Sequence, residues 1–336
     1  MKRALIIGAN GQDGSYLCEL LLSKGYRVFG FARKESWLRE NYLRHLNDRV
    51  EFFFGNVNEG GDLINALNWA KPNELYNLAA QSRPSESWSR ATETLLVNGL
   101  AAVRIFEAMR KEFPDCRLYQ ASSSEMFGIA KLSPQNEETP FDPVNPYAAS
   151  KIYAHQMAKM YRETYGLHIS SGILFNHESE RRPLAFVTQK IAYGAACASL
   201  GINQSTDINE WGRPIVQNGK LAIGNLNVER DWGYAPDYVE AMWLILQQKK
   251  PSDFIIGSGR PHSLRYLCEV AYNFVGLNWS DYVVTDSKFL RLSEPSRLVA
   301  DASKALTELG WKPRVSFEEM INRMVQSQIN RLQLVI

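Results

Sequence analysis

Four side chains in the middle of the chain have the types and spacing for acid–base chemistry on a sugar or alcohol. Tyr147 and Lys151 stand four residues apart in the run Asn145-Pro146-Tyr147-Ala148-Ala149-Ser150-Lys151. On a helix that spacing puts both on one face, and Pro146 suits the first turn, where its missing N–H is no loss. A fixed ammonium beside a phenol favours the phenolate, so Lys151 is expected to lower the Tyr147 pKa and make it a base for a hydroxyl proton. Ser123 and Glu125 follow an apolar run that reads as a strand. The Ser123 hydroxyl can hydrogen-bond the same substrate oxygen. Glu125 says more. Oxidation or reduction alone does not need it, whereas elimination of water beside a new ketone needs one group to take a carbon-bound proton and one to protonate the leaving hydroxyl. Taken singly, each residue also fits an ordinary role, as a strand-end cap, a solvated loop carboxylate or a half-buried Tyr on a helix, so their joint placement has to carry the reading.

The elements around them supply that placement. Ala4 to Ile7 is a short continuous apolar run, as in a buried parallel strand. It is followed by Gly8-Ala9-Asn10-Gly11-Gln12-Asp13-Gly14 and then by apolar residues at helical period from Tyr16 to Leu22. Strand, glycine turn and helix form the first unit of a dinucleotide-binding fold, with a pyrophosphate expected at the positive end of the helix. A second strand runs from Tyr26 to Phe31 and ends at Ala32-Arg33-Lys34, where basic side chains suit the 2′-phosphate of NADP. A third spans Val50 to Phe54, and the amide oxygen of Asn56 after it could accept from an adenine amino group. A fourth starts at Glu74 and exits through small residues to Ser82, Thr94 to Met109 is periodic as a helix, and Arg117 to Ala121 is the fifth strand. The Tyr147 helix is expected to run to about Tyr165, and Ile169 to Phe175 is a sixth strand. This alternation predicts an α/β, Rossmann-type doubly wound parallel sheet over residues 1–175.

Beyond Phe175 the order weakens. Residues 176–183 read as a polar loop, Phe186 to Leu200 as a helix, and Gly201 to Lys220 as a polar stretch that is either an ordered excursion or a flap. Short strands at Leu221–Gly224, Phe254–Ile256 and Tyr282–Val284 alternate with helices at Asp237–Gln247, Ser263–Val275 and Ser316–Leu334. Residues 176–336 are therefore expected to form a smaller, interleaved substrate lobe with segments returning to the first domain.

Composition narrows the partners. The 336 residues are 45% hydrophobic and 22% charged, and a net charge of +2 without a basic run gives no reason to expect nucleic acid or a membrane surface. Cys18, Cys116, Cys197 and Cys268 are far apart in sequence, so no metal or redox pair is expected. The amino-terminal apolar stretch is too short for a signal peptide and no run approaches a membrane span, which points to the cytoplasm.

With these residues in place, the chain resembles the extended short-chain dehydrogenase/reductase family, and specifically the GDP-mannose 4,6-dehydratases. The resemblance runs nearly end to end. It is carried by Gly8 to Tyr16, Leu78 to Ser82, Ser123 to Gly128, Asn145 to Lys151, Gly172 to Ser179 with its Phe-Asn-His-Glu-Ser, Arg181-Arg182, Phe186 to Thr188, Gly224 to Leu226, Arg230-Asp231-Trp232-Gly233 and Asp237 to Trp243. It implies oxidation of a GDP-sugar at C4 by NADP while Tyr147 accepts the proton, loss of water across C5–C6 through Glu125, and return of the hydride to C6. It implies that Gly8, Ala9, Asn10, Gly11, Gln12, Asp13, Gly14, Arg33, Asn56, Val57, Leu78, Ala79, Ala80, Gln81, Ser82, Lys151, His177 and Arg182 hold the cofactor. Asn176, Lys190, Arg230, Arg291 and Glu294 would line the nucleotide-sugar pocket, arginine suiting a diphosphate through its planar fork. It also implies a homo-oligomer, a dimer or tetramer.

The chain departs from the family in three places. Ser123 stands where a Thr is usual, Arg291-Leu292-Ser293-Glu294-Pro295 replaces Arg-Pro-x-Glu-Val, and residues 201–220 are longer than the corresponding stretch. These leave the sugar, a hexose or a heptose, open. The competing functions are an epimerase or 4-keto reductase on the same fold, which would not need Glu125, and a non-catalytic NADP-binding protein.

Overall fold

In the computed structural model, which describes residues 1–39, 42–46, 48–290 and 297–334, one parallel sheet carries the site at its edge. Its strands are β1 (Arg3–Ile7), β2 (Arg27–Ala32), β3 (Val50–Phe54), β4 (Glu74–Asn77), β5 (Arg117–Ser123), β6 (Ile169–Leu174) and, after four short strands elsewhere, β11 (Asp253–Ile256). The order across the sheet is β11-β6-β5-β4-β1-β2-β3, with every neighbouring pair parallel. The chain reverses its direction of travel between β1 and β4. Such a switch point opens a crevice at the carboxyl ends of the strands. Ala4, Leu5, Ile6 and Ile7 are all fully buried, which explains why β1 is a continuous apolar run with no alternation.

Helices cover both faces. They are α1 (Gln12–Ser23), α2 (Lys34–Arg39), α3 (Gly60–Ala70), α4 (Ala91–Leu95), α5 (Ala101–Glu112), α6 (Pro146–Tyr165), α7 (Val187–Ser199), α8 (Ala235–Gln247), α9 (Leu264–Phe274), α10 (Ser303–Leu309) and α11 (Phe317–Gln333). The helix expected from Thr94 to Met109 is interrupted. A π-helical turn at Leu96–Leu100 joins α4 to α5. It turns Asn98 inward, where Nδ2 donates to the Ser150 hydroxyl of α6 at 3.1 Å and Oδ1 accepts from the Gln81 N–H at 2.9 Å. One buried amide thus ties the exit of β4 to the helix carrying Tyr147.

The remaining strands are β7 (Asn176–Glu178), β8 (Val216–Gln217), β9 (Lys220–Ile223), β10 (Glu229–Tyr234), β12 (Pro261–Ser263) and β13 (Val283–Thr285). They make two three-stranded sheets, β12-β10-β7 and β13-β9-β8. Residues 176–183, expected as a loop, begin with β7, whose backbone pairs in parallel with Trp232 to Tyr234. Helices α2, α3 and α10 have no clear signature in the sequence. The Gly60-Gly61 pair hid the start of α3, and α10 is too short for periodicity to show.

A separate core forms around α7, α9, α11, β9 and β10, built on Tyr193, Leu221, Trp232, Leu267, Tyr272 and Met324. The chain crosses back between the two. Tyr238, Met242 and Ile245 of α8, Phe254 of β11 and Ala305 and Leu309 of α10 pack in the core of the large sheet with Leu17, Leu21 and Val28.

Candidate active site

Strand β5 ends at Ser123, and the Ser123 hydroxyl accepts the Glu125 N–H at 3.2 Å, capping a single 3₁₀ turn over Ser124–Phe127. That cap turns the Glu125 side chain into the cleft. Asn145 then does two things. Its Oδ1 accepts the Ala148 N–H at 2.8 Å, starting α6 as an N-cap. Its Nδ2 donates to Glu125 Oε2 at 3.2 Å. The residue that begins the Tyr147 helix therefore also orients the carboxylate. The connecting loop folds back tightly at Gly128, where φ is +49° and a Cβ would lie 1.7 Å from the Asp142 carbonyl oxygen, so only glycine fits.

Tyr147 and Lys151 share one buried face of α6, as their spacing predicts. Their electrostatics differ from the sequence expectation. Burial pushes the Tyr147 hydroxyl up to about 12, with the Ser123 hydroxyl and the Arg182 charge opposing and the Glu125 charge adding to the rise. The Lys151 Nζ donates to the Ala121 carbonyl at 2.9 Å and lies 5.8 Å from the Tyr147 ring centre. Burial lowers Lys151 to about 8, partly offset by Asp13. The expected depression of Tyr147 by its neighbouring ammonium is thus absent, because desolvation of the phenol outweighs it and the ammonium is directed at a backbone oxygen. At neutral pH the residue rests as a phenol.

At the amino end of α1, Gly11 is the N-cap and no side chain caps the helix, leaving its first N–H groups facing the crevice. Gly8 has φ +88°, and a Cβ there would come within 2.9 Å of the Ala79 nitrogen. A Cβ at Gly14 would lie 2.3 Å from the Gly8 oxygen. Around Gly11 only the Gly8 oxygen approaches, at 3.4 Å. Backbone is therefore packed against backbone behind the turn and open in front of it, a cradle whose residues fit a dinucleotide pyrophosphate.

His177 joins this turn from β7. Its Nε2 lies 2.9 Å from Asp13 Oδ2 and its Nδ1 2.8 Å from the Phe175 carbonyl. Both partners only accept, so both ring nitrogens donate and the ring is an imidazolium. Burial opposes that charge, but Asp13 holds the His177 pKa above its usual value, while His177 in turn keeps Asp13 low despite burial. Arg182 pairs with buried Glu178 at 3.0 Å and lies over the Phe186 ring, 3.5 Å from its centre.

A cleft of about 870 Å³ joins these parts. Of the residues singled out in the sequence, Asp13, Leu78, Ala80, Ser82, Ser123, Glu125, Tyr147, Lys151, Asn176, His177, Arg182, Lys190 and Arg230 line it. Gly8, Ala9, Asn10, Gly11, Gln12, Gly14, Ala79 and Gln81 are not among the residues lining it. Gln12 donates to the His177 carbonyl at 3.2 Å, and Gln81 is tied to Asn98. Arg33 is exposed beyond the end of β2. The Asn56 amide oxygen, expected to be open to an adenine, already accepts the Asn58 N–H at 3.1 Å, leaving one lone pair. Val57 is buried in the core beneath it. Arg291 and Glu294 lie outside the described residues.

Glu210 and Trp211 are wall residues that the sequence does not single out. Residues 201–220 are folded on the body of the protein: the Ser205 hydroxyl accepts the Val216 N–H at 3.0 Å, Ile208 bridges to Pro214, and Asp207 pairs with Arg331 of α11 at 2.8 Å. This excursion brings Glu210 and Trp211 to the cleft. Glu210 Oε2 lies 2.7 Å from the Lys190 Nζ, and Trp211 packs edge-on against Phe289 with ring centres 4.6 Å apart. No periodicity or spacing in the polar sequence marks them out.

A parallel sheet with a glycine cradle at its switch point, and a Tyr–Lys helix after the fifth strand, defines a dinucleotide-binding enzyme of the short-chain dehydrogenase/reductase type. The chain belongs to the GDP-mannose 4,6-dehydratase family, whose family model matches residues 5–324. It is 42% identical over 340 residues to GDP-mannose 4,6 dehydratase 1 of Arabidopsis thaliana, covering 98% of this chain and 90% of that protein. It is 38% identical to the human GDP-mannose 4,6 dehydratase over 357 residues (98% and 92% covered), and 36% identical to that of Vibrio cholerae over 368 residues (99% and 95% covered). Among solved structures, the Thermotoga maritima UDP-glucose 4-epimerase superposes with a TM-score of 0.83 at 21% identity, covering 98% of this chain and 99% of that one. The Bacillus anthracis dTDP-glucose 4,6-dehydratase superposes with 0.81 at 22%, covering 99% and 98%. At those identities the likeness is one of fold.

Proposed function

We propose that this protein removes water across C5–C6 of a GDP-sugar to give the 4-keto-6-deoxy sugar, with NADP as its cofactor. The observation that carries the reading is Glu125. A buried carboxylate is held by Asn145 in the same cleft as Tyr147 and Ser123, where simple oxidation or epimerisation has no use for one. A bound nicotinamide dinucleotide supplies the two-electron chemistry, oxidising C4 and later reducing C6.

The protein's own residues do the rest. Ser123 Oγ holds the C4 oxygen, and Tyr147 Oη exchanges its proton. Tyr147 rests as a phenol, and substrate oxidation requires the phenolate, which the Ser123 hydroxyl and the Arg182 charge favour and burial, Glu125 and Asp13 oppose. Once C4 is a ketone the C5 proton is acidic. Glu125 takes it and passes a proton to the departing C6 oxygen, which leaves as water. The glycine cradle from Gly8 to Gly14, with Asp13, His177 and Arg182, orients the dinucleotide, and Arg33 takes its 2′-phosphate. Asn176, Lys190 and Arg230 hold the GDP-sugar, joined by Arg291 and Glu294.

Residues 1–175 then serve mainly the cofactor and 176–336 mainly the sugar nucleotide. A second copy of the chain would cover the exposed Leu95 and Tyr153, which border each other at Gly99 on α4 and α6. The four cysteines are free and buried, as suits the cytoplasm, and among the described residues no helix is long and apolar enough to cross a membrane.

Incubation with a panel of nucleotide sugars, read by mass, tests the reading. The expected result is loss of one water from a GDP-sugar with no net accumulation of reduced cofactor. A product of unchanged mass would point instead to epimerisation. For the cofactor, Arg33→Ala should cut the preference for NADP over NAD, measured as a ratio of Kd values, by about 10-fold or more. An unchanged ratio would remove Arg33 from that role.

A further inference from the structure

The 201–220 excursion places a carboxylate and an indole on the outer wall of the cleft, and neither has a part in the chemistry. Glu210 reaches across to Lys190 of α7. The Lys190 side chain is only 7% exposed and its ammonium is held 2.7 Å from a carboxylate that is 34% exposed and faces the cleft. Trp211, the next residue, packs edge-on against Phe289, and the Lys190 Nζ lies 5.4 Å from the Phe289 ring centre. Donor, acceptor and aromatic surface therefore meet on one patch.

Purine and pyrimidine edges differ in their order of donors and acceptors. Guanine presents an acceptor, O6, directly beside two donors, N1–H and the N2 amine. A group that donates to O6 and a group that accepts from N1–H must then be immediate neighbours, as an ammonium and a carboxylate in contact are. Adenine presents the reverse order at the corresponding positions. Uracil lacks the second donor. A charged acceptor with two oxygens matches the two guanine donors, and an aromatic wall suits the face of any base.

Resting on the GDP-sugar reading, we propose that Glu210 and Lys190 form a guanine-reading pair: Glu210 accepts from N1–H and N2–H, Lys190 donates to O6, and the Trp211–Phe289 patch supports the base. In this arrangement the excursion sets the choice of nucleotide, while the floor of the cleft sets the reaction. A site that bonds a donor rejects the ligand lacking it, because its own polar group is left unpaired.

Calorimetric titration of the intact protein with GDP, IDP and UDP tests this, IDP differing from GDP only by the N2 amine. Wild-type protein is expected to bind GDP about 10-fold or more tightly over IDP, and to bind UDP more weakly still. Glu210→Ala should weaken GDP by about the same factor and bring GDP and IDP to similar affinity. Glu210→Gln, which keeps the shape of the side chain, should lose most of the GDP over IDP preference while leaving NADP binding unchanged. A GDP over IDP ratio unaltered in both variants overturns the proposal and leaves the GDP-sugar reading standing. Wild-type protein that fails to bind GDP at all overturns both.

Discussion

On the floor of the cleft Ser123, Glu125, Tyr147 and Lys151 are between 4% and 9% exposed, and each is held by backbone or by a buried side chain. On the outer wall Trp211 is 50% exposed and the Glu210 side chain 34%, and both stand on a polar excursion between a helix and a short strand. The floor is built where β5 meets α6, and its hydrogen bonds run between neighbouring elements of one sheet layer. The wall is assembled from α7, the excursion and residues near Phe289, which come together from separate parts of the chain. The floor thus has geometry enough for proton transfer, and its groups carry the electrostatic cost of burial. The wall can change without disturbing that geometry, which is what a selective surface needs. The comparison separates reaction from recognition, and it can be broken at either end.

The largest effects are expected on the floor. Tyr147→Phe and Glu125→Gln should each lower kcat by about 10²- to 10⁴-fold, the range for loss of a general acid–base group. GDP and NADP affinities should stay within a few-fold of wild type. The two variants should differ in kind: Glu125→Gln retains substrate oxidation, visible as reduced cofactor at the nicotinamide absorbance band, and Tyr147→Phe loses it. Undiminished turnover in Glu125→Gln would return the protein to the epimerase class.

On the wall the expected effect is smaller and falls on binding. Lys190→Ala should raise KM for the GDP-sugar by about 10-fold or more with little change in kcat, since removing an interaction made equally in ground and transition states changes KM alone. A fall in kcat with unchanged KM would place Lys190 in the chemistry and erase the division.

The smallest effect concerns stability and has a definite sign. Lys151 has its pKa lowered from 10.5 to about 8 by burial, so the folded protein disfavours the charged form that the unfolded chain prefers. The charge destabilises the fold below about pH 8, and the penalty fades as pH rises towards 10.5. Lys151→Met should therefore abolish activity and yet raise stability at pH 7 by about 1–2 kcal/mol, the lost bond to the Ala121 carbonyl offsetting part of the gain. Thermal unfolding across pH 7 to 10.5 checks it. A variant less stable than wild type throughout would mean that the bond to Ala121 outweighs the buried charge.

Much of the floor is legible in the sequence. The glycine turn between an apolar run and a helical period, and Tyr-x-x-x-Lys behind a proline, are local patterns, and local patterns survive in one dimension. The run Ala4–Ile7 of β1 follows from composition, because strands buried on both faces must be continuously apolar. Asn145 is visible in the same run, but its two hydrogen bonds, from Ala148 and to Glu125, are not, since the second partner is 20 residues away. The interrupted helix at Leu96–Leu100 was hidden too, because its apolar period carries on through the π turn.

By itself, then, the chain determined the kind of sheet and named the glycine turn and the side chains proposed to react, all of which rest on periodicity and on spacings of a few residues. Only the tertiary structure decided their charge states and what faces them. Tyr147 is a phenol and His177 an imidazolium because of what surrounds each in space: desolvation in the first case, the Asp13 carboxylate from α1 in the second. Glu210 meets Lys190 because the excursion folds onto the body through Asp207 and Arg331, residues 124 positions apart. Burial and charge are properties of neighbourhoods, and a neighbourhood does not exist until distant stretches of the chain have met.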